Sequence, residues 1–100
     1  MYKIVEKKVL NPTVIQLWIE APLVANKAKP GQFIILRVDE DGERIPLTVA
    51  GVNKEAGTVK IIFQVVGGTT KKLSYKEAGE YIQDFAGPLG VPTELEGLND

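Results

Sequence analysis

The chain has 100 residues, enough for one domain with a single core. It is 44% hydrophobic and 25% charged, with 12 Lys+Arg against 13 Asp+Glu and a formal charge of −1. A folded chain is expected, and no basic footprint for nucleic acid or an anionic membrane is present. The absence of Cys and His excludes disulfides, Cys/His zinc sites, Cys-ligated iron–sulfur clusters, Cys nucleophiles and Ser-His-Asp triads from this sequence.

Pro and Gly punctuate short β-branched runs. Lys3 to Leu10 reads as a first strand, closed by the turn pair Asn11-Pro12. Thr13 to Glu20 alternates, with Ile15, Leu17 and Ile19 on one face and Gln16, Trp18 and Glu20 on the other. That period of two predicts a half-buried strand. Ala21 to Lys29 reads as a loop, Pro30-Gly31 as a turn and Gln32 to Val38 as a third strand. Asp39-Glu40-Asp41-Gly42 reads as a polar hairpin turn in which Asp-Gly supplies positive φ.

Ile45 to Val52 is the fourth predicted strand, with Pro46 near its start, and Asn53 to Gly57 is a polar turn. Thr58 to Val66 is the most β-prone segment. After Gly67-Gly68, Thr69 or Thr70 caps the one predicted helix, which runs to Lys76 or Glu77. Glu80 to Ala86 is a sixth strand. The chain then runs through Gly87-Pro88-Leu89-Gly90-Val91-Pro92 into a polar tail from Thr93 to Asp100. Six short strands and one late helix predict an all-β antiparallel barrel or sandwich. No apolar run approaches the roughly 20 residues of a membrane span, and the charged start is not a secretory signal; a cytoplasmic protein is expected.

One segment carries chemistry by its residue types alone. Gly67-Gly68-Thr69-Thr70-Lys71-Lys72 puts free N–H groups, hydroxyls and cations at a helix start, a favourable place for phosphate. The competing reading is a chain turn followed by an ordinary cap. It is not a P-loop, because the required Gly/Lys spacing is absent. Arg44 suits phosphate by its guanidinium, or forms a surface ion pair with Asp41 or Glu43. Trp18 is a half-buried core residue or part of a contact face. No pair of residues marks a catalytic acid and base, and no metal site is expected.

Four segments together carry a resemblance. Lys29-Pro30-Gly31-Gln32-Phe33, Arg44-Ile45-Pro46-Leu47-Thr48, Val66-Gly67-Gly68-Thr69-Thr70-Lys71-Lys72-Leu73 and Gly87-Pro88-Leu89-Gly90 follow in order. They resemble the ferredoxin-reductase-type flavin domain: its Pro-Gly-Gln-Phe turn, its flavin segment, its pyrophosphate turn and the junction to its pyridine-nucleotide domain. The branch most resembled is the small subunit of sulfide dehydrogenase, or NADH-dependent ferredoxin:NADP oxidoreductase. The electron-transfer subunit of dihydroorotate dehydrogenase is a near relative.

The resemblance implies a six-stranded antiparallel Greek-key barrel that binds FAD, with one short helix after strand five. The ring would lie along Pro46, Leu47 and Thr48, the ribityl chain over Val65 and Val66, and the pyrophosphate at Gly68, Thr69 and Thr70. Arg44 would contact phosphate. It also implies electron passage between NAD(P)H and ferredoxin or a related acceptor, beside a larger oxidoreductase subunit. Residues 1–90 would be the FAD barrel and 91–100 a truncated linker. The NAD(P)H site and any iron–sulfur cluster would lie in a missing part of the parent protein.

This sequence departs from the family pattern in three places. Arg44 stands one residue early relative to Thr48, and such an offset reverses side-chain direction on a strand. Leu47 replaces a Tyr, and Thr69 replaces a Gly. Two other readings share the fold: a cofactor-free β-barrel module docking through the Trp18 face, and a riboflavin-synthase-like barrel with no pyrophosphate site.

Overall fold

The computed structural model describes residues 1–90. The predicted segments Val91-Pro92 and Thr93 to Asp100, and with them the linker 91–100, lie outside the described residues.

The chain forms seven strands and two short helices in the order β1 (Tyr2–Asn11), β2 (Val14–Glu20), α1 (Pro22–Lys27), β3 (Phe33–Arg37), β4 (Arg44–Asn53), β5 (Thr58–Gln64), α2 (Gly68–Ser74), β6 (Tyr81–Ile82) and β7 (Asp84–Leu89). The strands make one antiparallel sheet in the order β6-β1-β2-β5-β4-β3-β7. Its two end strands are separated in sequence only by Gln83. The sheet is therefore curled, with its ends brought together by one continuous run of chain.

Alternation builds the core. Ile15, Leu17 and Ile19 of β2 face Phe63, Ile61 and Val59 of β5 in register, and all six are buried. Ile4, Ile34, Leu36, Leu73, Ile82 and Phe85 complete the same cluster. Each fully buried aliphatic side chain contributes roughly 1.5–3 kcal/mol of transfer free energy.

The expectation of six strands and one helix is corrected in three places. The predicted last strand is two: β6 pairs with β1, and β7 pairs with β3. Between them the Gln83 N–H is shared by the Arg37 and Val38 carbonyls. The Gly87-Pro88-Leu89 stretch, expected as a junction, belongs to β7.

The second correction is α1, which occupies the predicted loop. Pro22 stands in its first turn, and the Ala25 and Ala28 N–H groups donate to Ala21 and Val24. Val24 and Ala25 are buried, and the helix packs on β5 and β7. A six-residue helix is marginal alone, so this tertiary contact decides it.

Third, α2 begins at Gly68 rather than at either Thr and ends at Ser74. The Asp39–Gly42 turn also forms without positive φ at Gly42. Other predicted boundaries hold to within a residue or two.

Candidate functional site

β3 and β4 lie side by side with Phe33 opposite Thr48, Ile34 opposite Leu47 and Ile35 opposite Pro46. In the first half of β4, Arg44, Pro46 and Thr48 are exposed, whereas Ile45 and Leu47 are half-buried against the core. A shallow concavity of about 370 Å³ is lined by Phe33, Pro46, Leu47 and Thr48.

The β4–β5 ladder begins only at Val49. Arg44 to Thr48 therefore pairs with β3 alone, and its second edge carries no strand among the described residues. An apolar concavity beside a free strand edge accepts a flat heteroaromatic ring and offers backbone hydrogen bonds to its polar rim.

The second predicted segment lies where β5 hands over to α2. Val65 packs against the core and its N–H donates to the Thr13 carbonyl at 2.8 Å, while Val66 is exposed. The first helical bond runs from the Lys71 N–H to the Gly67 carbonyl, 2.8 Å. The N–H groups of Gly68, Thr69 and Thr70 precede it and have no acceptor within the helix.

The Thr70 hydroxyl accepts from the Val66 and Gly67 N–H groups at 2.9 and 3.0 Å and donates to the Gly67 carbonyl at 3.1 Å. It is a structural cap. Thr69 is different: its hydroxyl points outward and donates to Glu43 Oε1 at 3.3 Å.

Glu43 immediately precedes β4, so the Thr69 contact brings the start of β4 beside the start of α2. A second hollow of about 230 Å³ lies there, lined by Asp41, Gly42, Glu43, Gly68, Thr69 and Lys72. Lys72 Nζ is 3.5 Å from Asp39 Oδ2. The acidic side of this hollow has no counterpart in the sequence reading, because the contact joins residues far apart in the chain.

Arg44 shares the exposed face of Pro46 and Thr48, an even spacing apart. Its ion-pair partner is Asp84, at 3.8 Å, rather than the expected Asp41 or Glu43. Asp84 is held chiefly by Arg37, whose Nη2 and Nε lie 2.6 and 2.7 Å from it. The Arg44 side chain, 66% exposed, is left largely free.

The residues present fit a flavin dinucleotide. Neither Gly67 nor Gly68 has positive φ, and a Cβ at either would meet nothing within 4 Å. Nothing inside the fold requires glycine at either position, and the lack of a side chain leaves the free N–H groups open to an incoming anion. Of the predicted residues, Pro46, Leu47 and Thr48 share one hollow, Gly68 and Thr69 share the other, and Val66 and Arg44 are exposed nearby. The Val65 N–H and the Thr70 hydroxyl are engaged within the fold, whereas the Thr70 N–H has no acceptor within the helix. The sequence places Glu43 only as an ion-pair partner for Arg44 and Phe33 only in a turn motif and the third strand; the structure puts Phe33 in the β4 concavity and Glu43 beside Thr69.

Trp18 lies on the outer face of the sheet, opposite Lys60, whose Nζ sits 5.5 Å from the ring centroid. A Cβ at Gly51 would lie 3.0 Å from the Lys60 stem, so the stem crosses β4 at that glycine. Lys60 covers part of the indole in a cation–π contact. A hollow of about 330 Å³ adjoins it, lined by Val5, Glu6, Trp18, Asn53, Ala56 and Thr58. No helix among the described residues is long and apolar enough to cross a membrane.

No family model matches the chain. It is 57% identical over 95 residues to an "Uncharacterized protein in adh 3'region" of Clostridium beijerinckii, covering 95% of this chain and 32% of that protein. It is 47% identical over 98 residues to the dihydroorotate dehydrogenase B (NAD(+)) electron transfer subunit homolog of Thermotoga maritima, covering 98% of this chain and 35% of that one. The chain thus spans about a third of the length of the curated relatives it matches. A solved chain from the NADH-dependent reduced ferredoxin-NADP oxidoreductase, described in connection with flavin-based electron bifurcation, superposes with a TM-score of 0.89 at 46% identity. That match covers 94% of this chain and 34% of the solved one. The chain is a homologue of the dihydroorotate dehydrogenase B electron-transfer subunits and has the fold of the matching third of the oxidoreductase chain.

Proposed function

We propose that this chain is the FAD-binding domain of an NAD(P)H-linked oxidoreductase that passes electrons between pyridine nucleotide and ferredoxin or a related acceptor. The observation that carries the reading is the apolar concavity at Phe33, Pro46, Leu47 and Thr48 on the unpaired half of β4, in a fold matching an oxidoreductase chain. On this reading the curled sheet is a Greek-key flavin barrel formed by residues 1–90. The NAD(P)H site and any iron–sulfur cluster belong to other parts of a larger cytoplasmic oxidoreductase; this chain has no Cys with which to ligate one.

When bound, the flavin supplies the hydride and single-electron chemistry. The chain supplies binding and orientation. The free edge of Pro46 to Thr48 offers backbone groups and the Thr48 hydroxyl to the polar rim of the ring. The Gly68 and Thr69 N–H groups and the Thr69 hydroxyl hold phosphate oxygens at the start of α2. Arg44, on the same exposed face as Pro46 and next to Glu43 in the chain, adds a cation at the start of β4. Glu43 is exposed and holds Thr69 by one long bond, so its release costs little.

The reading is tested by fluorescence titration of the 100-residue chain with FAD and with riboflavin. Saturable binding of FAD at least about tenfold tighter than riboflavin is expected, because riboflavin lacks the pyrophosphate. Equal affinities would favour a ring-only barrel of the riboflavin-synthase type. Binding of neither would take the site away from this chain.

A further inference from the structure

Phe33 is 36% exposed and is not part of the core. Among the residues lining the β4 concavity it is the one aromatic side chain. Its position is nevertheless fixed from several sides. The preceding turn is tied to β4, with the Gly31 N–H donating to the Val49 carbonyl at 3.1 Å and the Val49 N–H to the Gln32 carbonyl at 2.7 Å.

The Gln32 side chain ties the same turn at two further points. Its Oε1 accepts from the Lys29 N–H at 2.9 Å, and its Nε2 donates to the Gly90 carbonyl at 3.0 Å. Gly90 itself lies against the ring. Its φ is +81°, and a Cβ there would come 2.8 Å from Phe33 Cε1 and 3.0 Å from Cδ1. Two features thus call for glycine at this position: the backbone conformation and the nearness of the ring. The turn is tied down on several sides, and the ring lies against Gly90 outside the core while still exposed at the β4 concavity.

We propose that Phe33 packs against the ring of the flavin bound over Pro46, Leu47 and Thr48, and sets affinity for the ring system rather than for the phosphates. This rests on the flavin reading above. Leu47 packs in part against the core and Pro46 offers only a small ring, so Phe33 is the large apolar side chain most exposed at the hollow. Ring-to-ring contact in offset or edge-on geometry adds to the area buried.

Two substitutions in the intact chain test it, read by flavin affinity and by the emission of bound flavin. Phe33→Leu is expected to weaken FAD and riboflavin by the same factor, about three- to tenfold, with little change in melting temperature. Phe33→Trp is expected to hold affinity within about twofold and to quench bound flavin strongly, because an indole in contact donates an electron to the excited flavin. The proposal is overturned if Phe33→Leu leaves both affinities unchanged and Phe33→Trp leaves emission unchanged. If Gly68→Val still weakens FAD binding in that case, the flavin reading survives without this role for Phe33. If the unsubstituted chain binds no flavin, both fall together.

Discussion

Gly68→Val separates binding from folding. Gly68 is the first residue of α2, has no positive φ, and would place a Cβ in open space. Val forms helix better than Gly by a few tenths of a kcal/mol, so the folded state should be unchanged or slightly more stable. For a domain of this size a melting shift within about 4 °C follows.

The same side chain would stand where a phosphate oxygen must approach the Gly68 and Thr69 N–H groups. Hydrogen bonds to a charged group contribute about 1.5–3 kcal/mol each. Loss of one or both should cost at least about 1.5 kcal/mol, a rise of roughly tenfold or more in the Kd for FAD. Riboflavin, without phosphate, should bind Gly68→Val as it binds the parent chain. The assay is fluorescence anisotropy of both ligands beside a melting curve. An FAD affinity within twofold of the parent would refute the phosphate assignment. A melting temperature lower by much more than 4 °C would refute the claim that this glycine is free of packing.

Four further substitutions probe the frame and the site it holds. Lys7, with an 11% exposed side chain, donates from Nζ to the Ser74 carbonyl at 2.8 Å and to Glu77 at 3.2 Å, tying β1 to the end of α2. Lys7→Met should cost about 1–2 kcal/mol in urea unfolding, and Glu77→Gln less than about 0.5, because only the carbonyl contact is sheltered. Equal costs would show that the ion pair, not the helix end, carries the effect. Arg37→Ala should destabilise by about 1–2 kcal/mol, because Arg37 joins β3 to β7 through Asp84 and also donates to the Glu40 carbonyl. Arg44→Ala should change stability by less than about 0.5 kcal/mol yet weaken FAD binding. The reverse ranking in stability would contradict the geometry around Asp84.

Period-two alternation made most of the sheet legible. Ile15, Leu17 and Ile19 can be placed on one face from sequence, and β2 carries them there. The segments that failed are those decided by distant contacts. Pro22 to Lys27 has no capping side chain and no acidic residue in its first turn, so the local signals are only Pro22 at its start and Lys27 at its end, too few to mark a six-residue helix. Packing of Val24 and Ala25 makes it one. The break at Gln83 is likewise invisible locally, because Tyr81–Ile82 and Asp84–Leu89 differ in partner rather than in pattern.

At the site, the Pro46-Leu47-Thr48 and Gly68-Thr69 segments are contiguous and can be read from residue types and spacing. The Glu43–Thr69 contact and the Phe33–Thr48 pair depend on register between strands and loops, which one sequence does not display. Thr70 shows the limit of reading residue type alone: a hydroxyl at a helix start suits a phosphate, and here it is consumed by the cap.

The most direct measurement is a backbone amide chemical-shift map of the isotope-labelled chain during addition of FAD. The flavin site described here predicts the largest shifts at Phe33, Leu47 and Thr48 and at Gly68, Thr69 and Thr70, saturating together at one stoichiometric ratio. Shifts centred instead on Trp18, Lys60 and Gly51, or no shifts at all, would contradict it.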